Sequence, residues 1–345
     1  MDNYRNYKSK NAKFAAVLAG LVILLFALAV FSICLGKYPV TAGESFSIIG
    51  RAITGSSQIA EKMTVNVVLG LRLPRVIASI FVGAALSVSG ACYQGIFKNP
   101  LVSPDFLGVS SGACIGAAIA ILLSMGKTQI SVFAFFGGII AVLITAAVPS
   151  LIKNRSNIML VLSGIIVSSL MSSILGFIKY IADPSTQLAS ITYWTMGSFS
   201  YVDRKDLLTM LVVLLPPMII LMLISWWIDV LSMGEDEARS LGANVRLIRA
   251  IAIFCSTLLT SGSVCLAGTI GWVGLIIPHF SRMMVGSSNR RIIPVSAVLG
   301  GIFMLLVDTL TRTVSVDEMP VSIMTGIIGA PFFCWLLFKR KDRIS

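Results

Sequence analysis

The sequence predicts an all-α, polytopic membrane protein with about ten transmembrane helices. Apolar residues make up 56% of the 345 and charged residues only 12%, with a mean hydropathy of +0.92. A soluble domain of this size carries about a quarter charged residues. The apolar residues also gather into runs near the length a helix needs to cross a bilayer, about 20 residues. None of these runs alternates with period two, as a barrel strand would. At such lengths in lipid, helix is the conformation that satisfies its own backbone hydrogen bonds.

The elements follow in chain order. Residues 1–13 form a basic lead to a first span near 14–36, whose apolar run is too long for the core of a cleaved signal and is retained. Further spans are expected near 68–92, 106–125, 129–152, 157–181, 206–230, 245–267, 268–286, 293–313 and 321–338. The span at 268–286 carries Pro278, His279 and Arg282 in its second half. An even number of spans puts both termini on one side. Most of the 27 Lys and Arg residues fall on that side, including Lys98, Lys153, Arg155, Arg239, Arg246, Arg249, Arg282, Arg290 and Arg291, so both termini are expected in the cytoplasm. The whole chain, 1–345, reads as a single transmembrane domain. Gly108, Gly112 and Gly116 form a tandem G-x-x-x-G, and Gly83, Ser87 and Gly90 a similar stripe. In lipid, close backbone approach at small residues helps to hold helices together.

Several functions are excluded. The net charge of +12 is spread in short clusters between apolar runs, so no nucleic-acid partner is expected. The six cysteines lie in or beside apolar segments with no C-x-x-C spacing, and His279 is the single histidine, so no metal site is expected. No G-x-x-x-x-G-K-[ST] phosphate loop is present. Asp229 and Asp308 sit towards helix ends rather than at mid-membrane, which weakens the alternative of an ion-driven secondary carrier. No selectivity-filter or gating-charge pattern argues for a channel. The chain is expected to catalyse no reaction and to bind no cofactor.

Three polar stretches break the hydrophobic pattern. Arg72 and Arg75 open the second span on the side expected to face outward, and Arg312 ends the ninth span on the same side. Arginines there can snorkel to lipid headgroups or offer a cationic dock to acidic groups of an external partner. Residues 232–244 form a charged loop in which 234–242 can make a short helix ending at Gly242. Lys98-Asn99-Pro100-Leu101-Val102-Ser103-Pro104-Asp105 is a stiff inner loop, with Asp105 placed to favour the N-terminus of the third helix.

Taken in order, these residues resemble a known family. Leu71-Arg72-Leu73-Pro74-Arg75, Val82 to Gly90, Tyr93-Gln94-Gly95 with Asn99-Pro100-Leu101, and Leu107 to Gly112 are similar to the permease subunits that import iron–siderophores, haem and cobalamin. Tyr193 to Ser198, Ala238 to Gly242, Gly271 to His279 and Gly329-Ala330-Pro331-Phe332 match the same family in the same order. The resemblance covers nearly the whole chain after the first helix. It implies a ten-helix type II ABC importer permease in the bacterial cytoplasmic membrane, dimeric with an identical or related permease. Two cytoplasmic ATPase subunits, which hold the ATP and magnesium, and an external substrate-binding protein would complete the importer.

By the same resemblance, Arg72, Arg75 and Arg312 would meet the binding protein. Glu235, Glu237, Ala238, Arg239, Leu241 and Gly242 would couple to the ATPase. Asn99 and Leu101 would form an inner gate, with Ser156 and Asn157 a second gate element. Tyr193, Trp194, Met196 and Gly197 would flank the outer mouth of the pathway. Within the family, the wording of residues 99–105 favours an iron–siderophore cargo over cobalamin or haem.

Overall fold

The computed structural model describes residues 2–36, 38–55, 62–152, 156–314 and 318–341, and every regular element among them is helical. The first half contains α1 (Asp2–Cys34), α2 (Ala42–Thr54), α3 (Lys62–Val65), α4 (Leu73–Ile96), α5 (Val109–Leu122), α6 (Lys127–Leu151) and α7 (Asn157–Ile181). A π-helix, Asn66–Arg72, joins α3 to α4, and a 3-10 turn, Pro104–Leu107, precedes α5. The second half contains α8 (Gln187–Met196), α9 (Arg204–Leu223), α10 (Ser225–Met233), α11 (Glu235–Ser240), α12 (Val245–Ala267), α13 (Val273–Val285), α14 (Asn289–Val314) and α15 (Val321–Lys341).

Each expected span has a helix, with differences at the edges. Among the described residues, seven helices are long and apolar enough to cross a membrane, and α5 and α13 are shorter apolar helices. The span expected at 206–230 is α9 followed by α10, separated by Ile224. The charge-bias residues Lys153 and Arg155 lie outside the described residues. Neither α2 nor the π-helix was expected. Thr41 and Glu44 close a reciprocal capping box at the start of α2, a local stop-and-start signal hidden by the hydropathy of its neighbours.

The shortness of α5 and α13 has one physical cause. After α4, the chain turns at Lys98, whose φ is +51°, and folds back into the bundle instead of staying on its surface. Thr145 donates to the Leu107 carbonyl at 3.0 Å. A Cβ on Gly164 would lie 2.0 Å from the Phe106 carbonyl oxygen, and one on Gly274 would lie 2.5 Å from Pro104. Residues 268–272 make the matching break before α13, with Trp272 at φ +73°. Non-helical backbone at depth is tolerated where protein surrounds it. The third helix therefore begins at Val109, not beside Asp105, and Asp105 accepts a hydrogen bond from Ser110.

Helix α4 is the centre of the bundle, with every residue from Val82 to Ile96 buried. Small residues let its neighbours approach: a Cβ on Gly83 would meet the Gly300 carbonyl oxygen at 2.2 Å, and one on Gly90 would meet that of Gly274 at 1.9 Å. On its third side, Ser89 donates to the Ser256 carbonyl of α12 at 3.1 Å. Gly112 and Gly116 do the same for α5 against Gly137 and Phe133 of α6. The expected stripes are thus helix contacts, where dispersion between touching backbones replaces contacts with lipid, except at Gly108, which precedes α5 at φ +82° and faces Ser168 of α7.

Side-chain bonds between elements define two ends of the bundle. At one end meet the end of α1, the starts of α4 and α9, the end of α14 and the region of α8. At the other meet the end of α4, α10, α11 and the start of α14. We call these the outer and inner ends, after the charge bias of the loops.

Candidate functional site

At the outer end, the three arginines expected to form a free dock are turned inward. Arg72, Arg75 and Arg312 are only 6%, 9% and 8% exposed. Arg72 donates to the carbonyls of Ile33 at 2.7 Å, Cys34 at 3.3 Å and Tyr38 at 2.5 Å. Arg312 donates to the Leu35 carbonyl at 3.0 Å, to the Ser32 carbonyl, and to the Ser32 hydroxyl at 2.6 Å. The last carbonyls of a helix have no partner within it. Here two guanidinium groups bind the carbonyls of Ser32, Ile33, Cys34 and Leu35 together, and their positive charge suits the negative end of the α1 dipole. Snorkelling to lipid is not what these side chains do.

Arg75 has a different environment. Its Nε lies 2.8 Å from Asp308 of α14, which is wholly buried, and its Nη1 lies 2.8 Å from Glu318 in the loop after α14. Ser200, before α9, also donates to Glu318. Arg75 thus ties α4, α14 and two outer loops together. Glu318 is the more accessible partner, with 38% of its side chain exposed.

Near this end, α8 holds Tyr193, Trp194 and Met196. Tyr193 is 68% exposed, whereas Trp194 packs against the clusters around Ala118 and Ala117. Gly197 ends α8 at φ +76°, and a Cβ there would meet the Ala267 carbonyl oxygen at 2.6 Å. Ser198 N–H donates to Ala267 at 2.9 Å, Thr269 hydroxyl to Thr195 at 2.5 Å, and Val321 N–H to Gly197 at 3.0 Å. The end of α8 is therefore stitched to the break before α13 and to the start of α15. Beside it opens a cavity of about 600 Å³ lined by Tyr193, Trp194, Gln187, Lys127 and Tyr201. The two chain breaks also face a pocket of about 280 Å³ lined by Asp105, Ser110, Cys114, Leu175, Thr269 and Ile270.

At the inner end, α11 forms where a helix ending at Gly242 was expected. Gly242 adopts φ +82°; its N–H donates to Arg239 at 2.9 Å, and the Ala243 N–H to Ala238 at 2.9 Å. That paired ending needs a left-handed residue, which glycine supplies without steric cost. Ala238 is fully buried in a cluster with Val230, Leu231, Val245 and Ile248. Glu237, Arg239 and Leu241 face outward. Glu235 reaches Arg249 of α12 at 2.5 Å, and the Arg249 hydrogen bond holds its carboxyl below its ordinary value. The element is a small charged knob on an apolar base.

The expected gate residues lie in two places, after α4 and at the start of α7. Asn99 and Leu101 are exposed in the turn after α4, where Asn99 Oδ1 accepts from the Leu101 N–H at 2.9 Å. Ser156 caps α7, accepting from Met159 N–H at 3.2 Å, and lines an apolar cavity of about 620 Å³ with Arg246 and Arg249. Asn157 begins α7, and its side chain lies outside the described residues. Sequence reading missed Glu318, Ser200 and Ser32 altogether. It noticed Asp229 and Asp308 but could not pair them, because their partners lie far away in the chain.

The sequence profile of the FecCD transport family matches residues 23–339. This chain belongs to that family. It is 37% identical over 328 residues to the molybdate import system permease protein of Haemophilus influenzae, covering 95% of this chain and 97% of that protein. It is 40% identical over 275 residues to a Helicobacter pylori protein described as an iron chelatin transport system permease, covering 80% and 83%. A solved structure described as an inward-facing conformation of a metal-chelate type ABC transporter superposes with a TM-score of 0.84 at 37% identity. It covers 94% of this chain and 99% of that one. The resemblance read from the ordered motifs is thereby shown at the level of the family.

Proposed function

We propose that this chain is the membrane-spanning permease of an ATP-driven importer for an iron–siderophore or similar ferric chelate. The observation that supports it most is the knob at the inner end. A six-residue charged helix on an apolar base, tied to α10 and α12, is suited to receive force from a cytoplasmic ATPase. ATP binding would close two such ATPases, and Glu235 to Gly242 would pass that closure to the bundle. The permease then alternates its opening between the two faces, a biased two-state equilibrium rather than bond chemistry.

A second permease subunit would complete the pathway. Helix α7 leaves Ile158, Leu162, Ile165, Ile166, Leu170 and Phe177 exposed, a continuous apolar face for lipid or for a second copy. An external binding protein would dock at the outer end. Of the three arginines, only Arg75 pairs with a half-exposed carboxylate, so docking acts through Arg75 and Glu318 while Arg72 and Arg312 hold the end of α1. The orientation of the termini follows the charge bias, with both in the cytoplasm.

The Haemophilus relative favours one competing cargo, molybdate. Purified complex is mixed with binding protein loaded with a ferric chelate, haem, cobalamin or molybdate, and ATP hydrolysis is measured. Stimulation by the ferric chelate alone supports the reading; stimulation by molybdate alone replaces the cargo. Vesicle uptake that persists without the ATPase subunits and collapses with an ionophore sinks the importer reading itself.

A further inference from the structure

We infer that Asp229 is a positioning residue: it joins the inner charged knob to a rigid α4–α14 pair that reaches the outer end. The inference rests on the importer reading above and concerns how its two ends communicate.

The geometry starts at the N-terminus of α14. Asp229 of α10 accepts from the Ser288 hydroxyl at 2.7 Å, from the Asn289 N–H at 2.5 Å and from the Arg290 N–H at 3.4 Å. The first N–H groups of a helix lack partners within it and carry the positive end of the dipole. A carboxylate from another helix therefore caps α14 in place of its own sequence. Asp229 stands one turn before the end of α10, six residues ahead of α11, on the helix whose Val230 and Leu231 belong to the apolar base of the knob. A displacement of α11 has a short, polar and directional route to α14.

From that joint, α14 runs 26 residues, about 39 Å at 1.5 Å per residue. It lies antiparallel to α4 and is fastened to it three times. At the inner end, a Cβ on Gly95 would meet both Ile228 of α10 and Asn289 of α14, at 2.6 and 3.2 Å. Midway, Gly83 and Ser87 pack on Gly300. At the outer end, Arg75 binds Asp308 at 2.8 Å. Two packed helices pinned at both ends and the middle move as one body. Packed interfaces of this kind shift between discrete arrangements rather than bending continuously. The Arg75–Glu318 contact sits at the far end of that body, where the external partner arrives.

Coupling between two sites is reciprocal, so nucleotide state must change the affinity for the external binding protein. The test is to assemble the permease with hydrolysis-deficient ATPase subunits and measure the binding-protein Kd with and without ATP. In wild type the two values differ. In Asp229→Ala the ratio is expected to fall to within about twofold of one, from the 5- to 150-fold typical of such coupling, with assembly intact. Asp229→Asn keeps one acceptor but no charge and lowers the ratio less; it serves as the readout should the alanine variant fail to assemble. A wild-type ratio in either assembled variant overturns the inference. No nucleotide dependence in wild type, together with no ATP-dependent uptake, overturns the importer reading instead.

Discussion

Arg75 and Asp308 stand 233 residues apart and meet at 2.8 Å, with the aspartate wholly buried. A charged pair in this position is defensible only as a pair. Losing one member leaves Arg75 with Glu318 at 2.8 Å, or Asp308 with Arg312 at 3.9 Å, so the cost should fall below the about 3–5 kcal/mol of a buried pair broken to a lone charge. We expect Asp308→Ala to lower the thermal unfolding midpoint of the purified protein, and Arg75→Met with Asp308→Leu to recover most of the loss. Equal damage from single and double variants would show that the pair is not the unit.

Arg72 and Arg312 donate to the carbonyls that end α1. Leaving a buried carbonyl unsatisfied costs about 1–3 kcal/mol, and each arginine serves more than one. Arg72→Met and Arg312→Met should therefore loosen the end of α1 and expose Cys34 to thiol-modifying reagents. Binding-protein affinity should change less in these variants than in Arg75→Met. Unaltered labelling of Cys34 would remove the capping role.

Glu318 gives a pH dependence with a definite sign. Burial alone lifts its carboxyl, but the Ser200 hydroxyl and the Arg75 guanidinium outweigh burial and hold it below its ordinary value. A carboxyl lowered on folding adds stability that is present above the unfolded-state value, about 4.3 for Glu, and lost as pH falls through the folded-state value. The unfolding midpoint of wild type should therefore drop below pH about 4 more steeply than that of Glu318→Gln. Parallel curves would mean that Arg75 does not depend on Glu318.

Two glycines should separate packing from mere helix composition. A Cβ on Gly90 would lie 1.9 Å from the Gly274 carbonyl oxygen, whereas one on Gly176 meets nothing within 4 Å. Overpacking typically costs about 1–3 kcal/mol, and Gly90→Ala presses on backbone that cannot step aside. It should reduce folded yield in detergent, while Gly176→Ala should be neutral or slightly stabilising through helix propensity. Comparable yields for the two would contradict the close α4–α13 approach.

The class of the protein, the place of each span and the short inner helix were legible in the sequence because each depends on local chemistry. An apolar run of span length has few alternatives in lipid, and the left-handed ending at Gly242 is written in the residue itself. Family membership was likewise legible, since ordered motifs such as Leu71 to Arg75 and Gly271 to His279 lie in the chain order. What local patterning could not reach was which way a charge faces. Arg72, Arg75 and Arg312 look alike in sequence, yet two of them cap α1, with Arg312 also 3.9 Å from Asp308, and Arg75 bridges Asp308 and Glu318. The fold-back at 97–108 and the in-trans cap by Asp229 were equally hidden. Each depends on partners brought together only when helices distant in sequence pack. A buried charge takes whichever partner the fold delivers, and only the tertiary structure decides that.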